Sequence, residues 1–360
     1  MTESSHFPLA ALSAVTLLIV AACTSAPSTP TPSPTATPAP TATPAAEPIQ
    51  VALPKDDAPH WAYTTEWWYY NGHLQTETGE QFSLHYVVFD VRFPGIPPTN
   101  IYQVAVTDHQ RAAFVQDQRL ISNAPPPPVT TGFHYANADW LISGNDGTDH
   151  VVSTLPGYAF DLELKQVKPA ALHGGIGYLD FSATAKTYYY SRTRMDATGT
   201  VTTGGKTLKV SGVAWFDHQW GNFRPEQGGW DWFAIQLDDG TDLMLFQLRD
   251  ATGTLFRSHA TVSAKDGSTH ELAASAVEII SVDTWTSPAS GGKYPMGWRL
   301  KIPSLNLDVT LEPVVKTAEF DATTTTFNRY WEGPVTIYGN RTGKGFVEMV
   351  GYAPVNFPRR

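Results

Sequence analysis

Apolar and polar residues alternate along this chain in short runs of period two, and no stretch sustains the 3.6-residue period of a helix. In residues 66–73, EWWYYNGH, Trp67, Tyr69, Asn71 and His73 share one face; Glu66, Trp68, Tyr70 and Gly72 share the other. After a turn at Thr78, Gly79 and Glu80, the series Ser83, His85, Val87, Phe89 alternates with Phe82, Leu84, Tyr86, Val88. Both faces of this hairpin are rich in aromatic and apolar side chains, which predicts cover on two sides. Similar runs at 101–114, 138–143, 159–165 and 186–194 predict further strands, with turns at 172–178 and 197–205. Beyond residue 253 come six more short runs, at 256–264, 271–280, 296–301, 306–313, 330–338 and 345–352. Short strands at regular spacing predict an all-β protein built of barrels or sandwiches. A change of texture near 250–253 divides the globular part into two β domains, 49–250 and 251–360.

The densest chemistry lies at 213–249, GVAWFDHQWGNF followed by GGWDWFAIQLDDGTDLMLFQLR, at the junction of those domains. Trp215, Trp220, Trp230 and Trp232 interleave there with Asp217, His218, Asp231 and Asp239. Carboxylates and an imidazole set among indoles predict a water-poor cavity with a few polar groups, as an apolar-ligand site requires. Strand parity points Trp215, Asp217 and Gln219 one way and Phe216, His218 and Trp220 the other. Asp217 and His218 can therefore act together only if the strand is bulged or ends there, which Gly221 permits. Glu66, beside Trp67 and Trp68, must be paired or carry a raised pKa. Single histidines such as His73 and His85 are more often satisfied structural residues than catalysts.

The N-terminus changes the picture of location. Residues 1–22 carry an apolar run ending in small residues, and Val20-Ala21-Ala22-Cys23 has the form of a lipobox whose Cys23 is the only cysteine of the chain. The expectation is signal cleavage, lipidation of Cys23 and an exported, membrane-anchored protein, although the leading MTESSHF has no Lys or Arg. A lone cysteine excludes disulfides, so the fold rests on its core. Residues 23–48 are Pro/Thr/Ser/Ala-rich, an extended spacer of up to roughly 75 Å. The net charge of −10 contains no basic block, which argues against a nucleic-acid partner. The 172–178 turn, LHGGIGY, lacks the spacing and following helix of a phosphate loop. No G-x-S-x-G stretch, H-x-x-x-H pair or second cysteine supports a serine hydrolase or a zinc-type metal site.

Several segments in order resemble one family. EWWYYNGHL (66–74), LHGGIGY (172–178), YYYSRTRM (188–195), SGVAWFDHQWGNF with GWDWFAIQLDDGTDLMLFQLR (211–249), YPMGWRLKIP (294–303), YWEGPVTIYG (330–339) and GFVEMVGY (345–352) match the lipocalin-like group of the carotenoid 1,2-hydratases and AttH-type proteins. The resemblance covers nearly everything after residue 58 and implies two lipocalin-like β-barrel domains with a ligand pocket near their interface. It also implies cofactor-free hydration of a C=C bond, with no metal. Asp217 stands at the aspartate of the family's W-x-D motif, flanked by Trp215 and Trp220, and His218 where the family has His or Arg. Gln219 replaces a common Glu, and KTAEFD keeps only Glu319 of a D-Q-E pattern.

The candidate catalytic residues are Asp217, Glu66, His85 and His218. The candidate ligand contacts are Trp67, Trp68, Tyr70, His73, Tyr188, Tyr190, Trp215, Trp220, Trp230, Trp232 and Gln236. Three readings stay open: acid–base transformation of an apolar terpenoid-like or lipid-like ligand, a tethered lipid or pigment carrier, and a secreted hydrolase. The carrier reading makes Asp217 and Glu66 structural, bonded to Trp N–H donors or to Arg224 and Arg249.

Overall fold

The computed structural model describes residues 48–182, 185–222 and 228–354. Cys23, the leader, nearly all of the spacer and Arg224 lie outside them. Residues from Pro48 onward form one compact unit. Among the described residues the regular structure is strand, with three short 3-10 turns and no α-helix.

The first sheet begins with a meander of β1 (Thr65–Thr76), β2 (Gln81–Val91), β3 (Thr99–Asp108) and β4 (Ala113–Ser122). A second meander follows: β5 (Phe133–Asn137), β6 (Trp140–Asn145), β7 (Thr148–Leu155) and β8 (Tyr158–Gln166). Short β9 (Ala171–Leu172) and β10 (Tyr178–Ser182) lead into the long pair β11 (Ala185–Thr203) and β12 (Lys206–Gly221). That pair joins the meanders, β12 lying against β1 and β11 against β8. β11 runs on through Thr203 where the sequence reading placed a turn. Only Gly204 and Gly205, at φ 56 and 76, turn the chain there, a conformation suited to glycine.

The second sheet comprises β13 (Gly228–Leu237), β14 (Asp242–Asp250), β15 (Leu255–Ser263), β16 (Thr269–Leu272) and β17 (Glu278–Thr286). It continues with β18 (Lys293–Ile302), β19 (Leu307–Pro313), β20 (Glu319–Ala322), β21 (Asn328–Gly339) and β22 (Gly343–Val350), with β13 paired to β22 in mid-sheet and β16 and β17 at its edges. The chain thus changes sheets between Gly221 and Gly228. Residues 250–253, where sequence texture suggested a boundary, are the tight β14–β15 turn, with Gly253 N bonded to Asp250 O. Both sheets curl into half-barrels of lipocalin-like form.

Period-two alternation sorts the side chains into three layers. Trp68, Tyr70, Tyr86, Trp140, Tyr190 and Phe216 fill the lumen of the first half-barrel. Phe233, Ile235, Trp298, Trp331 and Met349 fill the second. Between the sheets a third cluster, including Tyr69, Tyr189, Trp215, Trp232, Phe246 and Phe346, forms a seam. The β1–β2 hairpin is covered on both faces, as its aromatic alternation predicts.

Candidate active site

The unbroken register of β12 decides how the candidate residues divide. From Val213 to Gly221 each residue pairs in order with β1, Asp217 with Tyr69 and His218 with Trp68, without a bulge. Asp217 and His218 therefore point to opposite faces: His218 into the first lumen, Asp217 into the seam.

In the lumen, Glu66 meets two imidazoles. Glu66 Oε1 lies 2.8 Å from His218 Nε2 and 2.8 Å from His60 Nδ1, while Oε2 accepts the His60 backbone N–H at 2.8 Å. Glu66 and His218 are fully buried; His60, in the segment leading into β1, is part-exposed at 18% of its side chain. The three form a chain of hydrogen bonds that starts at the part-exposed His60 and ends at the buried His218. Trp220 stacks on His60 at 3.7 Å between centroids and 5° between planes, and Tyr188 stacks on Trp220 at 5.4 Å. Trp68 stacks on His218 at 4.5 Å.

These contacts set opposed protonation states. Burial alone pushes Glu66 up, but His218 and His60 outweigh it and hold the carboxylate below its usual range. Burial pushes His60 down, yet Asp56 and Glu66 more than offset it and favour the imidazolium. At His218 burial wins over Glu66 and favours the neutral ring. The sequence reading asked for a paired Glu66 or a raised one; it is paired.

Below this group the lumen holds more buried charge. His218 Nδ1 lies 3.3 Å from Tyr190 Oη, Tyr190 donates to Asp57 Oδ1 at 2.5 Å, and Arg192 Nη2 donates to the same oxygen at 2.5 Å. Tyr70 donates to Asp149 Oδ2 at 2.9 Å. Of the named candidates, Glu66, His218, Trp68, Tyr70, Tyr188, Tyr190 and Trp220 gather here.

The others face the seam or flank it. Asp217 accepts from Tyr189 Oη at 2.6 Å, from Trp215 Nε1 at 2.7 Å and from Ser191 Oγ. Burial lifts it to about 7 against those three donors. Trp232 Nε1 donates to Tyr189 Oη at 3.0 Å, joining β13 to β11. Gln236 Nε2 donates to the carbonyls of Thr193 at 2.7 Å and Ala214 at 3.1 Å. His85 Nε2 stands 3.5 Å from Glu332 Oε2, and burial drops its pKa to about 3. Tyr69 donates to Glu332 Oε1 at 2.5 Å and Trp230 to Glu348 Oε2 at 3.0 Å. His73 Nδ1 lies 3.1 Å from Ser83 Oγ, and Trp67 packs beside Phe89. Arg249 serves Asp231 at 3.0 Å rather than Asp217 or Glu66.

The sequence reading missed His60, Asp57, Asp149, Arg192, Glu332 and Glu348 as site residues. Arg192 shares parity with Tyr188 and Tyr190 on an aromatic strand, and Asp149 with Val151 and Leu155 on β7; both signals were available. His60 carries no periodic signal, because it precedes the first strand. As to metals, His60, Glu66 and His218 present ligand atoms within 4.8 Å of one another, a spacing that can hold a divalent ion. The two imidazole–carboxylate bonds already satisfy these atoms without one.

The profile of the AttH-like family matches residues 44–352. Kievitone hydratase of Fusarium solani subsp. phaseoli is 24% identical over 326 residues, spanning 84% of this chain and 87% of that protein. A crystal structure assigned to AttH from Nitrosomonas europaea superposes with a TM-score of 0.79 at 25% identity, over 87% of this chain and 100% of that one. The crystal structure of kievitone hydratase from Nectria haematococca shares the fold, with a TM-score of 0.70 at 21% identity over 84% of this chain and 93% of that one.

Proposed function

The chain belongs to the AttH-like family, and from that premise we propose that it is a hydratase acting on a long apolar, terpenoid-like ligand in the lumen of the first half-barrel. The observation that carries this reading is one carboxylate held 2.8 Å from two imidazoles of opposite protonation preference, among the stacked rings of Trp220 and Trp68. The similarity to a hydratase supports it.

Hydration of an unactivated alkene needs an acid and a base present together in a dry site. In this scheme the imidazolium of His60, steadied by the face of Trp220, gives its proton to one alkene carbon: the N–H bond breaks and a C–H bond forms. The tertiary carbocation left on the neighbouring carbon takes the oxygen of water. The proton that water then loses passes to His218 or Glu66 and returns through Glu66 Oε1 to His60. One water is consumed and no net proton, and no cofactor enters.

The test uses the full chain with an acyclic carotenoid or squalene in heavy-oxygen water, read by mass spectrometry. A product that gains one labelled water, lost in Glu66→Gln and in His218→Ala, supports the hydratase. Unchanged polyene bound equally by wild type and variants would leave a carrier.

The same proposal places the protein on a membrane surface through Cys23, with residues 24–48 as spacer; among the described residues no helix is long and apolar enough to cross a bilayer. Incorporation of a labelled fatty acid that persists in Cys23→Ser would remove the anchor.

A further inference from the structure

The two ends of the first half-barrel differ in charge. At one end the turns joining β1 to β2, β3 to β4 and β11 to β12 carry Glu77 and Glu80, Asp108 and Arg111, and Lys206. At the other end lie residues 58–64 leading into β1, 93–98 between β2 and β3, and 120–132 from the close of β4 to β5. None of these three stretches contains Asp, Glu, Lys or Arg. Arg92 N donates to Thr64 O at 2.9 Å and Ala124 N to Pro98 O at 2.9 Å, so the three make one surface. Charge resumes at Lys55 and Asp56 before the first stretch, and at the Asp180–Lys186 pair on β10 and β11.

Large apolar side chains stand in solvent at this uncharged end. Among the described residues before β13, those left exposed are Ile49, Trp61, Ile96, Leu120 and Val167, and all but Val167 belong here. Trp61 is 50% exposed and Ile96 55%. Arg92 lies against the Trp61 ring at 3.9 Å and is ion-paired with Asp90, so its charge is met within the protein. At Gly95, φ 80, a Cβ would meet nothing within 4 Å, so the tip of the β2–β3 loop stands clear of the body. A contiguous apolar surface of this kind marks a contact site, and an indole lying on an arginine suits the water–lipid boundary.

We propose that this end of the first half-barrel docks on a phospholipid bilayer, setting Trp61, Ile96 and the uncharged loops among the headgroups. Two observations favour a bilayer over another protein. The spacer from Cys23 joins the body here: Ile49 N is bonded to Tyr188 Oη at 3.3 Å, and Tyr188 meets Tyr63 edge-on at 5.9 Å. A lipid on Cys23 therefore tethers the protein by this end. Trp61 also follows His60, the part-exposed start of the hydrogen-bond chain to Glu66 and His218. Docking sets that chain against the phase in which an apolar ligand dissolves. The first argument rests on the anchor and the second on the hydratase reading; the contrast between the barrel ends rests on neither.

The test uses the chain from Thr24 onward, which keeps the whole compact unit and has neither leader nor cysteine. Ile96→Cys and, at the charged end, Glu77→Cys are each labelled with the fluorophore NBD and mixed with phosphatidylcholine vesicles. An uncharged lipid is chosen because the net charge of −10 would be repelled by an anionic one. The label at 96 is expected to brighten and shift to the blue, and the label at 77 to stay unchanged. Trp61→Glu should lower co-sedimentation with the vesicles on the order of tenfold. Silence at both labels overturns the proposal, and so does an equal response at both, which is adsorption without orientation. These two outcomes decide it even if Trp61→Glu fails to fold. Undiminished co-sedimentation of folded Trp61→Glu also overturns it. A vesicle-free dimer in ultracentrifugation that Trp61→Glu dissociates would give the surface to a second copy of the chain and overturn the bilayer. Neither turnover nor Cys23 enters the readout, so failure of the hydratase or of the anchor is separately visible.

Discussion

Asp217 and His218 are consecutive residues in two chemically different compartments. On the lumen side, buried carboxylates meet groups that can carry positive charge: Glu66 meets His60 and His218, and Asp57 meets Arg192. On the seam side, the groups bonded to Asp217, Glu332 and Glu348 among the described residues are neutral O–H and indole N–H donors. His85 beside Glu332 is itself held neutral by burial. The consequences run in opposite directions. Glu66 is pushed down by its imidazoles against burial. Burial lifts Asp217 to about 7, and lifts Glu348 to about 7 with Asp217 adding to it; Glu332 is raised further by burial and by Glu348. Burial alone does not make a catalytic acid. What separates Glu66 from the three seam carboxyls is whether the buried carboxyl is hydrogen-bonded to a partner able to take up a charge; Asp149, in the lumen but beyond hydrogen-bond reach of Arg192, is lifted by burial to about 7 as the seam carboxyls are.

The comparison breaks most sharply through function. Glu66→Gln is expected to lower hydration by roughly 10²–10⁴-fold, the usual range for a lost acid–base group. It should also lower the His60 pKa, read by NMR, because Glu66 is one of the two groups raising it. Asp217→Asn should leave turnover within the same order of magnitude. Comparable losses in both variants would show that the seam takes part in the chemistry.

A smaller effect appears in stability against pH. Folded-state values raised above the unfolded ones mean that the seam carboxyls bind protons on folding. Their contribution is whole below ordinary carboxylate values of about 4 and is lost as pH rises through about 7. Glu66 has the opposite sign: its contribution is present above the ordinary range and lost as pH falls through its depressed value. Urea unfolding is therefore expected to show stability declining by a few kcal/mol between about pH 4 and 7. The double variant Asp217→Asn with Glu348→Gln should flatten that decline, and an unchanged slope would sink the account of the seam.

The smallest expected effect is that of Tyr69→Phe, which removes the O–H donor to Glu332 across the seam. A loss of about 1–2 kcal/mol is expected in the same unfolding measurement, with turnover unaffected.

Much of this was legible before the structure. Parity along β12 set Trp215, Asp217 and Gln219 against Phe216, His218 and Trp220, and the structure keeps that division intact. The same alternation contained Arg192 beside Tyr190 and Asp149 beside Val151. Both were passed over, because a charged residue in an alternating run is ordinarily read as facing solvent. The pairing of sheets was less legible: the texture change at 250–253 reflects a hairpin turn, and the real crossing after Gly221 is marked by no break in aromatic content.

The sequence alone therefore determined the all-β class, the side-chain parity of each strand and the cover on both faces of the β1–β2 hairpin. All of these follow from the period-two geometry of a strand, which is local. Only the tertiary structure decided that Glu66 meets His218 from 152 positions away, that His60 reaches back from a loop to join them, and that Asp217 faces Tyr189 and the second sheet instead. Which buried charges become partners depends on sheet curvature and on how strands distant in sequence pair, and those are properties of closure that no single stretch of the chain encodes.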